Sequence, residues 1–184
     1  MAKGRRFKVR YYKRNRWSAN IRKLNATGDA NSYSSFYTVI NLCQNPQQAD
    51  NTVSQQYTVK NTEFSFEIEL GVNSNDIENL CGYILYIPQG YYINNDTVIT
   101  NHPEWIMAMK YYGSASNDNF LTGNGSTSSV VGSNYSKVFR IKSRLARRLQ
   151  TGDSIVFLVT GSNEGATGVE VKIRGIARWW TKAN

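Results

Sequence analysis

The strongest pattern in the chain is the segment TVKNTEFSFEIEL, in which Phe64, Phe66, Ile68 and Leu70 alternate with Ser65, Glu67 and Glu69. Successive side chains of a strand point to opposite faces, so this period of two predicts a strand with one apolar face and one acidic face. Glu67 and Glu69 resemble a catalytic carboxylate pair, but nothing near them in sequence perturbs them, and they read as a solvated strand face. From Tyr33, SYSSFYTVINL predicts a β-rich run that places Phe36 or Tyr37 with Val39 and Leu42 near the core. SNDIENL offers a helical turn capped by Ser74 or Asn75, and it leads into CGYILYIPQG, an apolar run of strand length bounded by Gly and Pro. NHPEWIMAMKYYG opens on a Pro-Glu-Trp turn and then fits helix or strand by periodicity; Tyr111 and Tyr112 favour strand, with Gly113 as its end.

Residues 113–136 are a long Gly/Ser/Asn-rich connection of the kind that forms an exposed functional or variable loop. Beyond it, KVFRIKSRLARRLQTGDSIVFLVTGSN alternates again, with Arg140, Lys142 and Arg144 on one face and Phe139, Ile141 and Leu145 on the other. SRLARRL is alternatively a short helix. Thr151, Gly152 and Asp153 make a turn, and SIVFLVTG is a strongly apolar strand. VEVKIRGIARWWTKAN supplies a second basic-faced strand, with Lys172, Arg174 and Arg178 opposite Val171, Ile173, Ala177 and Trp179. Alternation also separates Trp179 from Trp180, so one serves the interior and the other a partner surface.

About eight such strands, without a repeat, predict an all-β fold: a single antiparallel sandwich or jelly roll of two sheets. Composition agrees, because 20 Asn, 17 Ser, 13 Thr and 12 Tyr in 184 residues suit short strands joined by polar loops and nearly exclude a helical bundle. The longest apolar stretch is far too short to span a bilayer as a helix, and the basic N-terminus lacks the apolar segment of a secretory signal, so no membrane insertion is expected. Cys43 and Cys81 do not amount to a disulfide framework and read as buried thiols.

Charge changes the picture. The net +9 divides into +10 over residues 1–28, −8 over 29–136 and +7 over 137–184. The first segment holds Lys3, Arg5, Arg6, Lys8, Arg10, Lys13, Arg14, Arg16, Arg22 and Lys23 with no acid, interleaved with Tyr11, Tyr12 and Trp17. Arg and Lys hold phosphates while aromatic rings stack on bases, so residues 1–28 are expected to be a poorly ordered nucleic-acid-binding arm, with a merely solubilising tail as the alternative. The same run also fits a nuclear address. Residues 29–184 form the folded domain. The basic faces bearing Arg140, Lys142, Arg144, Arg174 and Arg178 either extend the nucleic-acid contact or pair with acids of a neighbouring subunit.

Catalytic chemistry is missing. One histidine, His102, and two isolated cysteines cannot make a metal site with three or four such ligands. No Gly-x-Ser-x-Gly, no phosphate-binding Gly-rich loop followed by Lys-Ser/Thr and no dinucleotide fingerprint is present, so no enzyme activity, metal or cofactor is expected.

Three segments, HPEWIMAMKYYGS, RIKSRLARRLQTGDSIVFLVTG and GIARWWTKAN, together with the basic arm, resemble the capsid proteins of circovirus-like, circular single-stranded DNA viruses that encode a replication initiator. The middle of the chain, 33–100, matches only in style. The resemblance implies a single jelly roll, self-assembly of 60 copies into a T=1 icosahedral shell, and an arm directed inward onto single-stranded DNA. It also implies residence in the virion, assembly in the host nucleus or cytoplasm, and outer loops such as 113–136 that contact a host receptor or glycan. Sixty arms would carry about 600 positive charges, under a third of the phosphates of a genome of roughly two thousand nucleotides. Two other readings fit the same residues: a non-assembling single-stranded nucleic-acid-binding or transport protein, and a carbohydrate-binding jelly roll using Tyr91, Tyr92, Trp105 and Tyr112 as sugar platforms.

Overall fold

The alternating segments pair in a nested order, as if the chain were folded double before being rolled up. The computed structural model describes residues 17–31, 34–45, 56–70, 77–93, 98–115, 138–163, 165 and 168–183. Its strands are β1 (Ser18–Ala30), β2 (Ser34–Gln44), β3 (Tyr57–Leu70), β4 (Ile77–Ile87), β5 (Ile106–Ala115), β6 (Phe139–Lys142), β7 (Arg147–Leu149), β8 (Ser154–Asn163) and β9 (Val169–Ala183). A single helical turn, α1 (Val98–Asn101), and a 3-10 turn (Pro103–Trp105) precede β5. β1 pairs with β9, β2 with β8, β3 with β6 and β7, and β4 with β5, all antiparallel. The first sheet runs β1-β9-β3-β6, with β7 also on β3, and the second runs β2-β8-β4-β5. Counting β6 and β7 as one interrupted strand gives the eight positions of a jelly roll, as the sequence predicts.

The two sheets meet on an aromatic cluster. Phe66 of β3 stacks on Phe64 at 5.2 Å and on Phe139 of β6 at 5.5 Å, and it meets Phe157 of β8 at 4.8 Å and Tyr112 of β5 edge-on at 5.6 Å. In β3, where alternation is strict, the pattern Phe-x-Phe supplies two adjacent rings on one face. Gly175 of β9 makes room for them: a Cβ there would collide with the Ser65 carbonyl oxygen and lie 2.8 Å from Phe66 Cβ and 2.9 Å from Phe64 Cε2.

Five expectations are corrected. Residues 18–28 belong to β1, so the ordered sheet begins well before the expected boundary at residue 28; like-charge repulsion is offset because β1 satisfies its backbone on β9. The second correction is at SNDIENL, whose residues 77–80 are the start of β4 instead of a helical turn, with Asn79 at a φ of 54° where the register with β8 shifts; Ser74 and Asn75 lie outside the described residues. β5 continues through Gly113 to Ala115. Leu145 sits in the connection between β6 and β7, exposed, because the strand ends at Lys142 and the alternation ends with it. In β2 Thr38, Ile40, Leu42 and Cys43 are buried, whereas Val39 packs on the outer side of the sheet and Tyr37 is exposed.

β4 is buried on both faces, which explains its unbroken apolar run. Ile77, Leu80 and Ile84 face the sandwich, while Leu85 and Ile87 join Val156, Leu158 and Trp105 in a second cluster outside the sheet. The chain between β4 and β5 covers that cluster with Ile93, Ile99 and Trp105, and His102 stacks on Trp105 at 3.8 Å.

The turn in LQTGDSI is held by a buried carboxylate. Asp153 accepts bonds from Tyr86 Oη at 2.7 Å, the Gln89 backbone nitrogen at 3.0 Å and the Gln150 backbone nitrogen at 2.8 Å. Gly152 takes a φ of 88°, a left-handed conformation that glycine adopts without strain. Burial, and then the bond to Asp153, push the Tyr86 phenol up to about 12. One carboxylate thereby ties the β7–β8 turn to the end of β4.

Two substitutions test this packing, each read by thermal or urea unfolding. Asp153→Ala leaves two backbone donors and a phenol without their acceptor and is expected to cost roughly 2–4 kcal/mol. Gly175→Ala drives a methyl group into the Phe64–Phe66 stack and is expected to cost about 1–3 kcal/mol.

Candidate nucleic-acid interface

The basic residues picked out from separate strands converge on one surface, the outer face of the first sheet. Registers place its outward positions in rows that cross β1, β9, β3 and β6. One row carries Ile21, Arg178, Glu63 and Lys142, and the next carries Lys23, Ile176, Ser65 and Arg140. Further along lie Asn25, Arg174 and Glu67, while at the opposite end Ala19, Trp180 and Lys60 form a row. Lys23, Arg140, Lys142, Arg174 and Arg178 are all exposed. Lys172, on the same side of β9, is half-buried.

A β-bulge makes this arrangement possible. Register shifts between Lys60 and Glu63, where Asn61 adopts a φ of 50°. Val59 is buried before the bulge and Phe64 after it, five positions apart, which an unbroken period of two forbids. The inserted residue thus keeps Val59 inside and Lys60 outside while leaving Phe64 and Phe66 in the core. Asn tolerates the left-handed conformation better than other side-chain-bearing residues.

The face is not purely basic. Arg140 donates to the Glu63 carboxylate at 2.8 Å, and that bond, followed by the carboxylate's charge, holds the guanidinium above its ordinary value. Glu63 is only 8% exposed, so it acts as a shielded counter-charge beneath the surface. Lys172 pairs with Glu170 at 2.9 Å. The acidic face of β3 expected to be merely solvated is therefore interleaved with bases of β9 and β6, and part of the neutralisation expected from a neighbouring subunit comes from the same chain.

Other predicted residues fall elsewhere. Arg22 is opposite Ala177 and so lies on the inward side of β1, near Cys43 of β2, whose thiol is pushed up by burial. Arg144 lies in the connection between β6 and β7, exposed and outside the ladder rows. Lys3, Arg5, Arg6, Lys8, Arg10, Tyr11, Tyr12, Lys13, Arg14 and Arg16 lie outside the described residues. Trp17 is described, and Lys60 Nζ sits 3.9 Å from its ring centroid. Trp17 thus lies on the same outward side of the sheet as Lys60. Trp179 packs against the core and Trp180 stays 42% exposed, the division that alternation predicts. Of the four proposed sugar platforms, Trp105 is buried and Tyr112 lies among the core aromatics, so neither can stack on a ligand; Tyr91 and Tyr92 are exposed.

Lys60 joins this face unannounced by the sequence, since it stands nearly alone in an acidic region. Its neighbour Asn61, a residue able to host a bulge, is the local signal that could have placed it.

Comparison with known proteins gives the following. No protein-family profile matches the sequence, and no curated protein matches it. Among solved structures, the chain is similar to the capsid protein of beak and feather disease virus in a decameric crystal structure, with a TM-score of 0.36 and 8% identity over 92% of this chain and 99% of that one. It is also similar to a chain in the structure of infectious bursal disease virus, Gx strain, with a TM-score of 0.25 and 10% identity over 92% of this chain. This chain spans 41% of the length of that second one.

Because Glu63 is a built-in counter-charge, Glu63→Gln should release positive potential and raise the salt concentration needed to elute the protein from heparin resin. Arg178→Ala should lower it.

Proposed function

We propose that this protein is a viral capsid protein that assembles into a 60-copy icosahedral shell and packages single-stranded DNA. The observation that carries the reading is the convergence of bases of β1, β6 and β9 on one side of a jelly roll whose first strand follows a run of bases in the sequence. Eight bases and no acid precede β1 within residues 1–17, and β1 continues with Lys23 toward the same face. A shell needs one polyanion-facing side per subunit, with the opposite side left for solvent or host contacts, and this division of charge supplies it. Alternating acids on the inner rows would keep the empty shell from excessive self-repulsion, while the arm provides the uncompensated charge. Exposed Trp180, Ile21 and Ile176 supply apolar anchors beside those bases.

The choice of DNA follows from the resembling segments, because phosphate contacts do not distinguish the two polymers. LQTGDSI, the most specific of those segments, is explained by the Asp153 turn, and WWTKAN by the strand that joins β1 to β3.

Light scattering on size-exclusion eluate, with the 260/280 nm absorbance ratio, tests the proposal. The expected result is a particle of about 1.25 MDa, sixty chains of 20.9 kDa, with a raised ratio. Deletion of residues 2–16 should preserve the particle and lower the ratio. A monodisperse species of one or two chains across salt and pH would overturn the shell, and unchanged packaging after the deletion would remove the arm's role.

A further inference from the structure

We infer that a recess on the outer face of the second sheet binds a neutral carbohydrate. It encloses about 420 Å³ between β2, residues 87–93 and the start of β8. Such a volume accommodates one or two sugar rings. Val39, Ile87 and Val156 supply its apolar lining, while the carboxamides of Asn41, Gln44 and Gln89 supply the polar part. Tyr91 and Tyr92 also line it, and Tyr92 is 86% exposed.

The chemistry of this lining selects the ligand. Although the chain carries a net charge of +9, no Lys, Arg, Asp or Glu among the described residues lines the recess. A polyanion needs cations, and a cationic ligand needs carboxylates, so neither finds a partner here. Carboxamides present donors and acceptors side by side, which matches vicinal hydroxyls that are also both donor and acceptor. A tyrosine ring offers a flat face to the C–H side of a sugar and a hydroxyl at its edge. Consecutive tyrosines beside three carboxamides therefore favour an uncharged saccharide.

The walls are also held in place before any ligand arrives. Asp153 fixes the Gln89 backbone nitrogen at 3.0 Å, and the Tyr91 backbone nitrogen closes the turn onto the Pro88 carbonyl at 3.3 Å. Asn41 Nδ2 donates to Gln44 Oε1 at 3.3 Å, which aligns two of the amides. Pre-set walls reduce the ordering cost of binding. The recess lies on the opposite side of the sandwich from the basic face, so occupancy would not compete with a polyanion. The inference is independent of shell assembly.

Saturation-transfer NMR on the full chain, in whatever assembly state it takes, provides the test. The probes are lactose, maltotriose and N,N′-diacetylchitobiose, with a heparin octasaccharide as the anionic comparator. At least one neutral saccharide should receive saturation. Tyr92→Ala and Gln44→Ala, both at exposed positions, should each weaken that binding by about tenfold with unchanged circular dichroism. Absence of signal from all three neutral probes, or the same affinity in both variants, would overturn the site. Binding of heparin alone would overturn it as well and assign the carbohydrate contact to the basic face.

Discussion

The contact on which the rest depends is Phe66 at the junction of the two sheets. Four rings from β3, β5, β6 and β8 surround it, so one side chain connects the first sheet to the second. Its position demands a glycine opposite, at Gly175, and a bulge upstream, at residues 60–63, that restores the phase of β3. Those two requirements in turn fix what lies outside. With Phe64 and Phe66 pointing in, Ser65 and Glu67 must point out, and the bases of β9 and β6 are brought beside them by register. The charged face is thus a consequence of how the aromatic interior is phased.

Much of this was legible along the chain. The strict alternation around Phe64 and the basic faces around Arg140 and Arg174 translate directly into strands, because a period of two has only one structural meaning. The double burial of β4 also leaves a trace, an apolar run without alternation. What the sequence hides is everything that depends on two strands at once. Arg140 and Glu63 are 77 positions apart, and their ion pair exists only through the β3–β6 register. Arg22 belongs to the same basic run as Lys23, yet adjacent residues of a strand diverge, so the two exposed bases leave β1 on opposite sides. Trp105 and Tyr112 looked available for ligand stacking because exposure is a property of the fold around a side chain, not of the side chain.

The charge balance of the outer face also has physical content. Bases alternate with carboxylates at distances where a Debye length of about 10 Å still couples them. Such a surface presents modest net potential to a distant polyanion but many separate donors to one in contact. The sheet holds its charges in register, whereas the bases of residues 1–16 have no acid among them in the sequence. Glu63, shielded from water beneath Arg140, orients that guanidinium and limits its freedom, which favours a defined contact over a diffuse one.

Nested pairing has a consequence for synthesis. Among the described residues β1 pairs only with β9, from Ser18 against Thr181 to Ala30 against Val169. When the chain emerges from the ribosome, the first strand waits with an open edge until the last one is available, and contacts of such sequence separation form slowly. Arg22 and Lys23 place like charges on that waiting edge, and such charges discourage two nascent chains from pairing strand to strand. Pairing of β9 with β1 and β3 then brings the outward rows of bases together, so the charged face forms only once these distant strands have met.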